Sequence, residues 1–446
     1  MKPAQPNIVL IHVHDLGRWL SCYDKPSVPS PNLQQFADEG IVFEKAFSTA
    51  PLCTPARSSL FTGLSPHANG LMGLAHAGWR YRPGVRTLPE LVSGAGYDTA
   101  LIGLQHEDPD PLVLGFDHVG GVGFLPHADA VVDESVQWLA DRNDSAPFLL
   151  AVGLWEVHRP WASADYPAVD PSTVEVPDYL PDTAESREDI AAMYGSIAFM
   201  DHHVGRLLQA LAQHPDAENT LVIFTTDHGA AFPGAKGTLY DPGVEVAFIV
   251  RPPAPWGASP RRVSAQVSHL DIVPTVLELA GEELPDELEG ESLLPHLQPN
   301  NVPDAADERV ADRLLFLEKT YHDGYDPIRA VRSARWKYIR NFGEGLPRLK
   351  LSLDLEQSMT RRGMGDEHLA ARAERELYDL AADPAEKVNV AGESAARLVI
   401  DELDAALMQW MRSTDDPLLR GPISPPPRPV RHDDGGETPA RRETAR

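Results

Sequence analysis

Cys53 opens the run Cys53-Thr54-Pro55-Ala56-Arg57, which leads into Ser58-Ser59-Leu60-Phe61-Thr62-Gly63. Proline two residues after the cysteine suits the first turn of a helix, where its missing N–H costs no hydrogen bond. The remaining N–H groups of such a turn offer positive potential to an anion. Arg57, one turn on, adds a charge-assisted donor. A tetrahedral anion beside a nucleophilic sulfur fits this layout. A solitary cysteine is otherwise most often a buried packing residue, and on these residues alone both readings stand.

Two acidic positions come next. Asp15 follows His14 at the end of an apolar run, and Asp227 precedes His228 at the end of another. A hard divalent cation needs several oxygen ligands that converge from separate strand ends. An Asp-His pair there serves equally well as a helix cap or a solvated loop. His106 in Gly103-Leu104-Gln105-His106, His158 in Trp155-Glu156-Val157-His158-Arg159-Pro160 and Lys236 in Ala235-Lys236-Gly237 are further polar groups near strand or loop ends. His76, in Leu74-Ala75-His76-Ala77-Gly78, is a looser candidate for substrate binding.

The elements that must position these groups follow from periodicity. Asn7–Val13, Thr99–Gly103, Phe148–Leu154, Leu221–Thr226 and Val246–Val250 are short apolar runs rich in β-branched residues, the pattern of buried strands. Helical patterns at Asn32–Glu39, Leu88–Ser93, Ile190–Gln213 and Leu270–Ala280 lie between them. Strands alternating with helices predict an α/β protein with a large, mostly parallel sheet sandwiched by helices. Ligands in such sheets bind beyond the carboxyl ends of the strands, where each cluster above falls. After about residue 300 the texture changes to short strands at Leu314–Glu318, Ile328–Arg332 and Trp336–Ile339, with a helix at Glu393–Met411. The expected organisation is a catalytic α/β domain over 1–310, a smaller antiparallel sheet plus helix over 311–412, and a disordered Pro-, Gly- and Arg-rich tail over 413–446.

Composition narrows the partners. The 446 residues carry 66 acidic against 39 basic side chains, a net charge of −27, with only eight lysines. Such a surface repels phosphate-bearing partners, so neither nucleic acid nor an anionic membrane is expected. The same bias suits a salt-rich cytoplasm. Two cysteines, Cys22 and Cys53, make no disulfide framework. The first residues show no apolar signal core, and a cytoplasmic protein is expected.

Cys-x-Pro-x-Arg with Thr62-Gly63 beyond it resembles the signature of the sulfatase family. The resemblance extends from Pro6-Asn7-Ile8-Val9-Leu10 through Leu270-Asp271-Ile272-Val273-Pro274-Thr275 to Glu376-Leu377-Tyr378-Asp379-Leu380. It implies an alkaline-phosphatase-like fold and conversion of Cys53 to formylglycine by a formylglycine-generating enzyme. It further implies a metal, usually Ca²⁺, held by Asp15, Asp227, His228, His14 and the residue at 53. His14 stands where the family usually has Asp; being a softer ligand, it admits Mn²⁺ or Zn²⁺, or an indirect contact. By resemblance Arg57 stabilises the transferring group, His106 is a base and His158 the acid for the leaving group. Lys236 binds substrate sulfate, and Leu104 replaces a lysine.

The implied substrate is a sulfated small molecule or glycan. The His-Asp variant with Gly103-Leu104-Gln105-His106-Glu107 resembles prokaryotic sulfatases called heparan N-sulfatase-like. Three alternatives remain: a phosphonate monoester or phosphodiester hydrolase on the same scaffold, an N-sulfoglucosamine-type sulfamidase, and a catalytically inactive binding protein.

Overall fold

The computed structural model describes residues 5–121, 123, 126–142, 146–299 and 313–427. Its first sheet is built from β1 (Asn7–Val13), β2 (Ile41–Phe47), β3 (Asp98–Gly103), β4 (His118–Gly120), β5 (Phe148–Gly153), β6 (Thr220–Thr226), β7 (Phe248–Arg251) and β8 (Arg261–Ser268). Their order is β4-β3-β5-β1-β6-β7-β2-β8. Every pairing is parallel except those of β7, which runs antiparallel to both β6 and β2. The α/β expectation with a mostly parallel sheet is therefore met.

β1, β5 and β6 are buried along their whole lengths. Alternation along a strand sends successive side chains to opposite faces. Val9, Ile11 and Val13 join one core with the helix Ala184–Gln213, while Ile8 and Leu10 join the other with the helix Ile272–Ala280. Each fully buried Val, Ile or Leu contributes roughly 1.5–3 kcal/mol. The centre of the sheet is thus rigid, and its carboxyl edge is a firm platform.

Periodicity missed β2 and β8. Glu44 and Lys45 interrupt the apolar run of β2 and are only half-buried. β8 is an edge strand whose burial alternates over Arg262, Val263, Ser264 and Ala265. The strand expected from Val246 begins at Phe248, because Val246 and Ala247 hydrogen-bond across to Ala46 and Gly17 before the ladder starts.

A second, antiparallel sheet has the order β12-β11-β10-β9, formed by β9 (Leu315–Tyr321), β10 (Tyr325–Arg332), β11 (Trp336–Asn341) and β12 (Arg375–Asp379). The helix Arg397–Ser413 packs Ile400, Leu403 and Leu407 against its Val331, Tyr338 and Leu377. Ion pairs tie this unit to the first: Arg332 meets Asp241 at 2.8 Å, and Lys337 pairs with the same carboxylate.

The disordered tail expected from 413 needs correction. Asp416 is buried and pairs with Arg329 at 2.6 Å, while Arg329 also meets Glu318 at 3.1 Å. Leu418 is buried, and Tyr321 Oη donates to the Ile423 carbonyl at 2.7 Å. A buried arginine without carboxylates is costly, so this segment is tied down despite its composition. The rest of that tail, 428–446, lies outside the described residues.

Candidate active site

β1 and β6 are neighbours, so the residues after them meet. The Asp227 amide donates to the Val13 carbonyl at 3.1 Å, and the Gly17 amide to the His228 carbonyl at 2.9 Å. Asp227 Oδ1 in turn accepts from the amides of Asp15 at 2.9 Å and His228 at 2.8 Å. Asp15 adopts the left-handed region at φ 53°, a conformation that single Asp residues tolerate and that is concentrated at functional sites. Gly229 is required next door, since a Cβ there would lie 1.9 Å from the Pro242 carbonyl oxygen.

The side chains converge. Donor atoms of His14, Asp15, Cys53, Asp227 and His228 all lie within 4.8 Å of one another, and all five residues are buried. His14 Nδ1 is 3.0 Å from Asp15 Oδ1 and 3.1 Å from Asp227 Oδ2. His228 Nδ1 lies 2.9 Å from the Gly229 carbonyl, which fixes that nitrogen as the donor. Its Nε2 faces Asp15 at 3.2 Å and Asp227 at 3.6 Å without a hydrogen bond. A lone pair aimed at two carboxylates is unfavourable unless a cation sits among them, and an imidazole anchored through its other nitrogen is how metal-ligating histidines are held. These residues fit a divalent metal.

Cys53 begins the helix Cys53–Thr62, whose ten residues are all buried, and Thr54 Oγ1 donates to the His106 carbonyl at 2.6 Å. Burial raises the Cys53 thiol, but His14, Lys236 and contacts with His106 and His14 outweigh it and hold the thiol well below its ordinary value. Burial would also raise Asp227. His228 and His14, in the protonated form that is the alternative to a bound metal, together with Arg57 outweigh this and hold that carboxyl well below the usual range.

Arg57 has a different task from the one sequence suggests. Its Nη2 lies 3.2 Å from Asp227 Oδ2, and its Nη1 contacts His12 Nδ1 on β1. It therefore supports a carboxylate of the cluster. His12 and His269, both buried, surround that pair, and His269 Nε2 is 3.1 Å from Thr225 Oγ1.

Lys236 is brought in as expected, but it is engaged. Its Nζ donates to Asp15 Oδ2 at 2.7 Å and to Asp354 Oδ2 at 3.0 Å. His106 and His158 flank His14, with ring centres 5.2 and 4.5 Å from its own. Burial lowers His106, and burial with the Lys236 charge pushes His158 down to about 4. His158 Nε2 is 3.8 Å from Asp15 Oδ2.

His76 is exposed on the short turn Ala75–Ala77, and no interaction among the described residues joins it to the cluster. The turn ends at Gly78 and is tied back by Arg80 donating to the Ala75 carbonyl, while the Ala75 amide lies 3.4 Å from Thr54 Oγ1. Arg159, next to His158, makes a two-pronged pair with Asp189 at 2.8 and 2.7 Å and stacks on Trp161 at 4.0 Å.

Sequence reasoning also missed two members, both from beyond residue 311. His322, in the turn between β9 and β10, lines a small cavity together with Leu52, the neighbour of Cys53. Asp354 reaches Lys236 and lies with Asp15 and His158 in a second group of potential ligands. The signal available was an Asp or His beside a predicted strand end (His322-Asp323-Gly324). A separate cavity of about 510 Å³, lined by Tyr179, Gly234, Arg348 and His368 among others, contains none of the cluster residues. The convergence of donors, rather than concavity, marks the site.

Comparison with known proteins gives the family. The family model described as Sulfatase matches residues 6–282. N-sulphoglucosamine sulphohydrolase of Homo sapiens is 29% identical over an alignment covering 94% of this chain and 92% of that protein. An ulvan-active sulfatase of Formosa agariphila is 26% identical, covering 93% of this chain and 76% of that one. A solved complex with the substrate D-glucosamine-2-N,6-O-disulfate superposes with a TM-score of 0.72 at 20% identity, covering 92% of this chain and 98% of the other; it shares the fold.

Proposed function

Since this chain belongs to the sulfatase family, we propose that it cleaves sulfate from a sulfated sugar with the residue at position 53 as nucleophile. The chain is a sulfatase, a hydrolase on an alkaline-phosphatase-like scaffold. What carries the mechanistic reading is the placement of Cys53 within 4.8 Å of four potential metal ligands. In this reading a formylglycine-generating enzyme converts Cys53. Hydrated formylglycine offers one hydroxyl to attack sulfur and a second through which sulfate is expelled without attack by water.

His14, Asp15, Asp227 and His228 would hold the metal together with the group at position 53. Two imidazoles set against two carboxylates make a softer donor set than the oxygen cage calcium prefers. That favours Mn²⁺ or Zn²⁺ over the Ca²⁺ implied by resemblance. A divalent cation there supplies positive charge that lowers the proton affinity of a hydroxyl and offsets charge on the transferring group.

The chain's own residues do the rest. Arg57 holds Asp227 in place through its 3.2 Å pair. Lys236 binds a sulfate oxygen when it releases Asp354, stabilising charge that develops in the transition state. His106, held neutral by burial and touching position 53, accepts a proton there. His158 serves the leaving group; a bound sulfate adds negative charge beside it and offsets the Lys236 charge that now lowers its pKa.

The sugar class is supported by the human relative named for N-sulphoglucosamine and by the fold neighbour solved with a sulfated glucosamine. An N-sulfate is the narrower reading that the first relative favours. The two-cysteine composition supports a cytoplasmic location.

The test is mass spectrometry of the peptide spanning residue 53, paired with turnover of N-sulfoglucosamine, glucosamine 6-sulfate and 4-nitrophenyl sulfate. Formylglycine in turning-over enzyme is the expected result; unmodified cysteine in fully active enzyme sinks the mechanism.

A further inference from the structure

Lys236 is followed by a glycine whose two backbone groups are both held from outside its own loop. Gly237 adopts φ 82°, in the left-handed region. Its amide donates to the carbonyl of Pro51, two residues before Cys53, at 3.0 Å. Its carbonyl accepts from Lys319 Nζ at 2.6 Å. Lys319 lies on β9, the outermost strand of the antiparallel sheet, and is only 4% exposed. That strand is fastened to the first unit on either side of the lysine. The Glu318 amide donates to the Thr49 carbonyl at 2.9 Å, and the Tyr321 amide to the Met72 carbonyl at 3.0 Å. One ammonium therefore reaches from the second sheet to the residue that joins the approach to Cys53 with Lys236.

A buried ammonium is costly unless its contacts repay it. Charge balance alone does not call for Lys319. Its Nζ also meets Asp326 at 2.5 Å, but that carboxylate already has Arg372 at 2.5 Å. What Lys319 adds is the charge-assisted bond to the Gly237 carbonyl, a stronger class of hydrogen bond than a neutral one. Glycine has more backbone freedom than any other residue, so its direction has to be set by its partners. With its N–H and C=O both fixed, the chain leaves Lys236 in one direction, and that side chain enters the cluster to meet Asp15 at 2.7 Å. We propose that Lys319 is a positioning residue for sulfate binding: it pins Gly237 and thereby aims Lys236 at the sulfate of the substrate. This rests on the sulfatase reading and deepens it, since the second sheet then sets the geometry of the anion site.

A double-mutant cycle tests this. Lys319→Met removes the ammonium at similar side-chain length and leaves Arg372 to pair with Asp326. Lys319→Gln, one atom shorter, decides on the same criteria where the first fails to fold. Affinity for inorganic sulfate is measured by calorimetry, and kcat/KM for 4-nitrophenyl sulfate is expressed per formylglycine counted by mass spectrometry. Both are measured with Lys236 present and in Lys236→Ala. With Lys236 present, sulfate binding is expected to weaken about 10-fold and kcat/KM to fall about 10-fold or more. In Lys236→Ala the same substitution should change either by less than about threefold, because the group it acts through is gone. A lysine needed for packing alone would lower the melting temperature and leave the sulfate affinity of the folded enzyme as it was. Sulfate affinity within about threefold of the unaltered enzyme overturns the proposal, and so does an equal loss in both backgrounds. Formylglycine-bearing unaltered enzyme that cleaves no sulfate is a different result, the failure of the sulfatase reading itself.

Discussion

Lys236 Nζ donates at once to Asp15 and, across the junction of the two sheets, to Asp354 at 3.0 Å. One contact is inside the donor cluster and the other is with a half-buried carboxylate at its rim. A sulfate that takes the lysine must displace the rim carboxylate. Asp354→Asn is therefore expected to lower KM for 4-nitrophenyl sulfate several-fold, since a like charge leaves the anion's path. Steady-state kinetics decide it; an unchanged or raised KM contradicts the displacement.

Removing the nucleophile precursor has the largest effect. Cys53→Ser is expected to lower sulfate turnover by three or more orders of magnitude, because a serine ester lacks the second hydroxyl. The circular-dichroism melting curve should change little, since the swap of sulfur for oxygen hardly alters the packing of the helix Cys53–Thr62. Near-normal turnover refutes the role of Cys53.

Metal content is directly measurable. Inductively coupled plasma mass spectrometry of enzyme purified without added metal is expected to find about one Mn²⁺ or Zn²⁺ per chain, and Asp227→Asn should lose it. Gly229→Ala should lose it too, since a Cβ placed 1.9 Å from the Pro242 carbonyl moves His228. The expected destabilisation is at least about 2 kcal/mol. Stoichiometric Ca²⁺ in unaltered enzyme contradicts the donor-set argument.

His269 predicts an acid dependence of stability. Burial pushes its pKa down to about 3 from an ordinary 6.5. Between those values the unfolded chain binds the proton and the folded one does not, so stability rises with pH there and is lost as pH falls from 6.5 towards 3. The slope from this residue approaches about 1.4 kcal/mol per pH unit. His269→Gln should flatten the curve of denaturant midpoint against pH over that range; an unchanged slope assigns the dependence to other groups.

Much of this was legible in the chain. The central strands β1, β5 and β6 announce themselves because both faces are buried, giving unbroken apolar runs. The edge and interrupted strands did not, because a half-solvated strand mixes polar residues into the pattern. Asp15, Asp227, His228 and Cys53 were found because each lies at the end of a recognisable element. Arg57 was found, but sequence gives its place on the helix and not the carboxylate it meets. His322 and Asp354 were passed over for a related reason. They lie about 270 and 300 residues from Cys53 in the chain, and only the docking of the second sheet brings them near. Asp416 defeated composition outright: a Pro-rich segment reads as tail until Arg329 is known to need its charge.

Breaking that last pair should show how firmly the chain's end is fastened. Asp416→Ala leaves Arg329 buried with Glu318 alone and is expected to cost about 3–5 kcal/mol. Equilibrium denaturation measures it, and a loss under 1 kcal/mol contradicts a fastening role.

The Cys53 side chain is only 4% exposed in the folded chain. Lys236, which acts on the thiol, is itself held by Asp354, made some 300 residues after Cys53. A converting enzyme needs the thiol in its own cleft, with the flanking backbone free to enter. Under the proposed conversion of Cys53, chemistry and architecture impose a schedule: oxidation would belong to the interval between the emergence of residue 53 and the arrival of the second sheet. A chain that folds before it is modified would be well packed, stable and permanently without its nucleophile. Refolded recombinant protein is then a poor source of active enzyme, however good its spectra.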